Sequence, residues 1–322
     1  MTGIIKFNDA SLVAVEYFGN STIDAFIASR HCSKNTARTY RNSIRQLQKF
    51  FASKSITTPT TADVDEFISE LRTAKKSDST LRLYMTTTKL FFSFLEKRGI
   101  YHDVAADCEP LRLRKATTHK KKALTDKQAK ALLNAIKGSS LIALRDKAVI
   151  ALALCTGLRT CEISRANRGD FKDAGDYWTL DVQGKGHQTA DATVKVPLAV
   201  AELIQAYLDK RGNVADDEPL FASTSNNVKW TANSYGRRIS EQSIGKMIKR
   251  TMIKIGINDK RISAHSTRHY CATCACKSGI DIREVGAMLR HSSIVVTSVY
   301  LHDISLSTRR AEMAVADVLF CA

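Results

Sequence analysis

The sequence predicts a mainly α-helical protein with a small antiparallel β-sheet, divided into two domains. The chain has 322 residues, more than a single hydrophobic core usually serves. Its 44% of hydrophobic and 25% of charged residues are typical of a folded globular protein. Hydrophobic residues recur at helical spacing along most of the chain, whereas residues 177–182 and 193–196 are rich in β-branched and aromatic residues. The glycines on either side of Lys185 predict a hairpin with a lysine near its tip.

Residues 21–110 predict a small bundle of four amphipathic helices. We expect Ser21 to cap the first helix, because its hydroxyl can accept a backbone N–H of the first turn. The third helix is expected to begin at Thr61 or Asp63, and Gly99 is expected to end the fourth.

The chain is strongly basic, with 49 Lys and Arg against 32 Asp and Glu and a formal net charge of +17. Such an excess indicates a polyanionic partner, either nucleic acid or an anionic membrane surface. The basic residues are spread over many segments rather than gathered on one amphipathic helix, which favours nucleic acid. Those of the helical bundle would form a solvated surface or follow a phosphate backbone; they are Lys34, Arg38, Arg41, Arg45, Arg82 and Lys89.

Residues 111–122 predict a basic linker between the domains, because they contain six Lys or Arg and no periodic apolar face. A basic linker could lie along DNA through Arg112, Arg114, Lys115, Lys120, Lys121 and Lys122. The predicted organisation is an N-terminal extension (1–20), the helical bundle (21–110), the linker (111–122) and a second domain (123–322).

The second domain is predicted to be helical around the hairpin. Thr125 and Gln128 have the spacing of a capping box ahead of an apolar run. Residues 141–155 are mostly apolar and predict a buried helix. Further helices are expected at 198–210, 241–255, 264–277, 281–289, 294–301 and 308–320.

No stretch of 18 apolar residues predicts a transmembrane helix, and the N-terminus does not have the pattern of a signal peptide. The eight cysteines are therefore expected to be reduced thiols of a cytoplasmic protein. Cys271, Cys274 and Cys276 could suggest a metal site. Because they lie within one predicted helix and lack a second pair of ligands nearby in sequence, we interpret them as small helix residues and predict no metal.

Histidines, arginines and a tyrosine are concentrated between residues 265 and 302. Tyrosine can act as a covalent nucleophile, and arginine with histidine stabilises a phosphate that gains charge. Each residue also has an ordinary explanation, as a packing tyrosine or a solvated polar pair. Their order along the chain, together with two motifs that precede them, is more specific than any one of these residues. The motifs are Thr-Gly-Leu-Arg-x-x-Glu with Arg159, Gly-Lys-Gly with Lys185, His265-x-x-Arg268, His291 and Tyr300.

This order and spacing resemble the tyrosine recombinase (phage integrase) family over essentially the whole chain. The resemblance implies a helical core-binding domain that clamps DNA, and a mixed α/β catalytic domain that cuts and rejoins strands without metal, ATP or another cofactor. In the implied mechanism Tyr300 forms a 3′-phosphotyrosyl bond and frees a 5′-hydroxyl. Arg159 and Arg268 would bind the phosphate, Lys185 would act as general acid, His265 would assist proton transfer from the tyrosine, His291 would donate to the phosphate, and Glu162 would orient the arginines or a histidine.

The chain departs from the family pattern at two positions. Thr267 stands where leucine is usual between the histidine and the arginine, so one packing contact is expected to be polar. Arg290 stands before His291 where glycine is usual, so a charge is expected close to the phosphate. Neither change removes a catalytic group, and we expect an active enzyme.

The resemblance also implies partners. The short segment before the first helix favours the two-domain members, such as the Xer and Cre recombinases and the integrases of mobile elements. These act on double-stranded DNA as homotetramers through a Holliday junction, and an excisionase or DNA-bending protein can assist. The C-terminal helix would dock on a neighbouring protomer or pack on its own domain.

Integration or excision of a mobile element is the leading biological role, and chromosome-dimer resolution is the alternative. A DNA-binding regulator that does not cut, and a type IB topoisomerase that relaxes supercoils as a monomer, are the alternatives outside recombination.

Overall fold

The computed structural model describes residues 19–108, 111, 122–184, 189–224, 236–291, 293–298 and 300. The chain divides into two compact units, Met1–Lys115 and Ala116–Ala322. Several predictions lie outside the described residues. They are most of the extension 1–20, the helix at 308–320, and the candidate residues Arg112, Arg114, Lys115, Lys120, Lys121 and Lys185.

The first unit contains the four predicted helices: α1 (Asn20–Ser29), α2 (Lys34–Ser53), α3 (Thr61–Thr73) and α4 (Asp78–Lys97). The start of α3 at Thr61 is confirmed, because the side chains of Thr60 and Asp63 form a capping box around its first turn. The prediction that Ser21 caps α1 is wrong. The N-cap is Gly19, which offers no side chain, and Ser21 lies within the first turn.

An aromatic cluster holds this bundle together. The ring of Phe26 on α1 packs edge-on against those of Phe91 and Phe94 on α4, with centroids 5.4 and 5.6 Å apart. Phe50 on α2 and Phe67 on α3 lie 5.4 Å apart in the same core. One apolar face of each helix is therefore buried, and the basic faces lie outward.

In the second unit, α5 (Asp126–Asn134) begins at the predicted capping box of Thr125 and Gln128. The long helix α6 (Leu141–Thr156) is buried along most of its length, as its apolar sequence predicts. The remaining helices of this unit are α7 (Thr160–Arg165), α8 (Leu198–Arg211), α9 (Glu241–Lys254), α10 (His265–Lys277), α11 (Ile282–Leu289) and α12 (Ile294–Ser298). Of these, α8 and α10 pack most extensively against α6.

The small antiparallel sheet has three strands in the order β1 (Phe171–Asp173), β2 (Trp178–Val182) and β3 (Ala192–Val196). The predicted hairpin of β2 and β3 is confirmed, with Leu180 opposite Val194. The sequence did not predict β1, because three residues ending in aspartate give no strand pattern. Phe171 of β1 is nevertheless buried and stacks on Trp178, with ring centroids 4.4 Å apart.

This architecture confirms a mainly α-helical protein with a small antiparallel sheet. The helix expected at 294–301 is shorter than predicted, since α12 ends at Ser298 and Tyr300 lies outside the α-helix. Among the helices that the structure describes, none combines the length and the apolar character required to cross a bilayer.

Candidate active site

The site is built where α6 ends against α10 and α11. Gly157 ends α6 in the left-handed conformation, with φ of 62°, and turns the chain toward α7. Arg268 on α10 donates Nη1 to the carbonyl of Gly157 at 2.7 Å and Nη2 to the carbonyl of Leu289. Arg268 is only 2% exposed. One guanidinium therefore joins the C-terminal ends of two helices.

Gly157 is required by both its backbone and its surroundings. A Cβ at this position would lie 2.6 Å from Cδ2 of Leu289. We predict that Gly157→Ala lowers the free energy of unfolding by about 2–4 kcal/mol, since strain and overpacking add. Gly256→Ala is the matched control, because Gly256 also has positive φ but nothing within 4 Å of its Cβ position. Urea unfolding should show that the control variant loses only about 1–2 kcal/mol of unfolding free energy, from backbone strain alone. Equal losses in the two variants would mean that the Leu289 contact has no effect.

Glu162 lies at the centre of the charged groups and is fully buried. Its Oε1 accepts from Nη1 of Arg159 at 2.8 Å. Its Oε2 accepts from the backbone N–H of Arg159 at 2.7 Å and from Nη2 of Arg290 at 2.8 Å. Glu162 thus contacts both the main chain and the guanidinium of Arg159, whose side chain is 30% exposed. The contact with Arg290 was not foreseen.

The charges of this group act on one another. Burial, together with the like charges of Arg159 and Arg290, lowers the pKa of the Arg268 guanidinium to about 10, whereas the Glu162 carboxylate opposes the shift. A pKa of about 10 still leaves Arg268 charged at neutral pH. The site therefore retains a strong positive potential in a buried setting, as an oxyanion of phosphate would require.

Tyr300 packs beneath two histidine rings. Its ring is 6.3 Å from that of His291 and nearly parallel to it, and 5.5 Å from that of His269. The side chain is 2% exposed and packs with Val285 and Leu289. Burial raises the pKa of the Tyr300 hydroxyl, while the charges of Arg268 and Arg159 lower it. Both arginines are thus within electrostatic reach of this oxygen.

Two residues of the histidine network were not predicted. Thr297 is buried and its hydroxyl lies 2.8 Å from Nδ1 of His291, which fixes the orientation of the ring. His269 is buried, and its ring lies between those of Tyr300 and His265, 4.9 Å from the latter. The i,i+4 spacing of His265 and His269 could have indicated the second contact.

The base of the Lys185 hairpin is held on both sides. Arg165 of α7 donates Nη1 to the carbonyl of Gly184 at 2.7 Å, and the carboxylate of Asp191 accepts the Gly184 N–H.

Thr267 is buried, and its hydroxyl donates to the carbonyl of Ala264 at 2.8 Å. The leucine position of the family pattern thus holds a polar side chain that is satisfied locally.

The cysteines of α10 are helix residues. Cys271 is buried, and burial raises the pKa of its thiol to about 12. Its Sγ lies 3.4 Å from the carbonyl of Cys155. Within the described ranges, no three His, Cys, Asp or Glu side chains form a group that could hold a metal ion.

The candidate DNA-contact residues of the first unit differ in their surroundings. Arg41 forms an ion pair with Asp24, and Lys89 donates Nζ to the carbonyls of Ala106 and Cys108. The remaining candidates are exposed; they are Lys34, Arg38, Arg45 and Arg82, together with Lys122 of the second unit.

Comparison with known proteins decides the family. The model described as "Phage integrase family" matches residues 122–305, and that of the "Phage integrase, N-terminal SAM-like domain" matches residues 23–99. This chain belongs to the phage integrase family. Membership confirms the predicted resemblance and makes the chain a tyrosine recombinase, an enzyme that cleaves and rejoins DNA at specific sites.

Relatives in this family match most of the chain. The tyrosine recombinase XerC of Alcanivorax borkumensis is 28% identical over 284 residues, 88% of each chain. XerA of Pyrococcus furiosus is 28% identical over 272 residues, 83% of each. The XerH recombinase in a post-cleavage complex with palindromic difH substrate has a TM-score of 0.69 at 18% identity and covers 95% of this chain and 94% of that one. A lambda integrase dimer bound to a COC′ core site has a TM-score of 0.63 at 16% identity, covering 86% and 96%. These structures share the fold.

Proposed function

We propose that this phage-integrase-family member recombines double-stranded DNA with Tyr300 as its nucleophile. The observation that supports the assignment best is the place of Tyr300, packed against two histidines and within reach of the Arg159 and Arg268 charges. Oη of Tyr300 attacks the scissile phosphorus as the bond to the 5′-oxygen breaks, giving a 3′-phosphotyrosyl ester. The freed 5′-oxygen takes one proton. Attack of a 5′-hydroxyl reverses the step, so no cofactor is consumed.

In this proposal Arg159 and Arg268 bind the nonbridging oxygens. A guanidinium has five N–H donors, so the bonds of Arg268 to two carbonyls leave donors for phosphate. His291 donates through Nε2, and Glu162 orients Arg159. His265 assists removal of the tyrosine proton, and the ring of His269 lies in contact with the rings of both residues.

Lys185 would protonate the leaving 5′-oxygen, and Arg165 would position it by holding the hairpin base at Gly184. We predict that Arg165→Ala slows single-turnover cleavage about 10-fold, equivalent to the loss of about 1.4 kcal/mol of transition-state stabilisation. Arg261→Ala removes one charge elsewhere in the same unit, from a side chain 66% exposed, and should leave the rate within about two-fold. Equal rates for wild type and Arg165→Ala would contradict the positioning role.

DNA contacts outside the cleavage site are proposed for exposed basic residues. Lys34, Arg38 and Arg45 follow one another at spacings of four and seven along α2 and share a face. With Arg82 of α4 they could contact phosphates of the backbone. Arg41 and Lys89 already have partners within the bundle, so we assign them less of this role.

We further propose that four copies assemble on paired sites and exchange strands through a Holliday junction, to integrate or excise a mobile element. Chromosome-dimer resolution uses the same chemistry and is favoured by the Xer relatives. A DNA-bending protein or excisionase would set the direction of recombination, and we propose that the protein acts in the cytoplasm.

The test is covalent trapping. Purified protein is mixed with nicked duplex DNA carrying candidate element ends, with a chelator and without ATP, and run on a denaturing gel. The proposal predicts a protein–DNA adduct on the specific site and none on random sequence. A mobility shift without an adduct on any site would indicate a non-cutting binder, and equal adduct on random DNA would indicate a topoisomerase.

A further inference from the structure

Arg290 is placed where the backbone disfavours a side chain. It ends α11 in the left-handed conformation, with φ of 55° and ψ of 50°. Residues with a Cβ are strained there, and glycine is not. An arginine at this position therefore requires contacts that outweigh the backbone strain.

The contacts of Arg290 are with the site. Its Nη2 donates to Oε2 of Glu162 at 2.8 Å, and its Nη1 donates to the carbonyl of Met288 at 2.9 Å. The side chain is 15% exposed and Glu162 is fully buried, so the ion pair is shielded from solvent. A charge-assisted bond in such a setting is strong and geometrically specific.

The shared carboxylate links Arg290 to Arg159. Oε1 of Glu162 accepts from the guanidinium of Arg159. Oε2 accepts from both the backbone N–H of Arg159 and the guanidinium of Arg290. Without Arg290, the guanidinium groups of Arg159 and Arg268 and the Glu162 carboxylate would carry a formal net charge of +1. With Arg290 the same group carries +2, so more positive charge remains for the phosphate.

We propose that Arg290 is a positioning residue for cleavage: it holds Glu162, so that Arg159 is oriented and keeps its charge for the scissile phosphate. The inference rests on the proposed function, because it assigns Arg159 to that phosphate. An indirect role is favoured by the Glu162 contact, which joins Arg290 to the carboxylate that also holds the main chain and the guanidinium of Arg159. Nε of Arg290 is buried and lacks an acceptor among the residues described.

Arg290→Gly is the informative variant, because it removes the side chain and relieves the backbone strain together. We expect the maximal single-turnover cleavage rate on a nicked site to fall about 30-fold, with the DNA concentration for half-maximal rate changed less than about two-fold. Arg290→Lys keeps a charge but cannot donate to Met288 and Glu162 in the same geometry, and should recover only part of the rate. Added guanidinium ion should also restore part of the Arg290→Gly rate, relative to sodium chloride at equal ionic strength.

A double-mutant cycle with Glu162→Gln separates the indirect role from direct phosphate contact. If Arg290 acts through Glu162, adding Arg290→Gly to Glu162→Gln should change the rate less than about three-fold. Independent, multiplicative losses would overturn the positioning role. Arg283→Ala is the control for a lost charge, since Arg283 lies on the same helix with a side chain 83% exposed.

The experiments distinguish failure of the proposed role of Arg290 from failure of the proposed function. Wild-type cleavage together with an unchanged rate in Arg290→Gly would overturn only the role of Arg290. Absence of an adduct with wild type on every candidate site would overturn the proposed function and, with it, this inference. Thermal unfolding curves of Arg290→Gly and Arg283→Ala set the assay temperature, so that both variants are fully folded when their rates are compared and a rate change reflects the site rather than the fold.

Discussion

Replacing Tyr300 with phenylalanine is expected to abolish the covalent protein–DNA complex while folding and DNA binding are retained. Phenylalanine lacks only the oxygen that would attack phosphorus. Its ring can keep the packing against His269, His291 and Leu289. Loss of a nucleophile removes the reaction path itself, so we expect the cleavage rate to fall by at least about 10⁴-fold.

The measurement is adduct formation on a denaturing gel beside a mobility shift with the same DNA. Tyr207→Phe is the matched control, because Tyr207 is also buried in this unit and its hydroxyl accepts the Ala222 N–H at 3.1 Å. Loss of the Tyr207 hydroxyl should lower the free energy of unfolding by about 1 kcal/mol and leave the cleavage rate unchanged. An adduct that persists in Tyr300→Phe would exclude Tyr300 as the nucleophile.

Replacing Arg268 with lysine is expected to have the second-largest effect, because it removes catalytic and structural contacts together. A lysine ammonium cannot bridge the carbonyls of Gly157 and Leu289 in the geometry of the guanidinium fork. We expect a loss of about 10³-fold in cleavage rate. The unfolding free energy should fall by about 2–4 kcal/mol, since buried carbonyls lose their donors.

Arg145→Lys controls for the structural part of this loss. Arg145 is 7% exposed and donates to the carbonyl of Ala222, but it lies in the second turn of α6, at the opposite end of the helix from Gly157. Its replacement should lower stability by a similar amount and leave the cleavage rate of the folded protein within about two-fold. Undiminished cleavage by Arg268→Lys would show that the fork is not needed at the phosphate.

Local physical rules explain why so much of the fold could be predicted. Apolar residues at helical spacing, and caps such as Thr125 with Gln128, act within a few residues and can be recognised in the chain itself. The prediction was wrong at Ser21, because the helix begins at Asn20, two residues earlier than a cap at Ser21 would place it, and Gly19 takes the N-cap position. Strand β1 was missed because its stability comes from Trp178 and from pairing with β2, both tertiary effects.

The site could be predicted as a set of residue types but not as a network. The i,i+3 spacing of Arg159 and Glu162 gave the first ion pair. The second, between Glu162 and Arg290, joins residues 128 apart and depends on where α11 ends. The departure at Arg290 was visible in the sequence, but its left-handed backbone and its partner required the folded chain.

The burial of Tyr300 limits cleavage of DNA that does not carry the recombination site. An oxygen on a side chain only 2% exposed cannot meet a phosphodiester by surface docking alone. Chance encounters with unrelated DNA should therefore leave no nicks, because the backbone around α12 and Tyr300 must first rearrange. The rate of strand cleavage would then be limited by that rearrangement. Correct assembly on a site could accelerate the rearrangement without altering the chemical step.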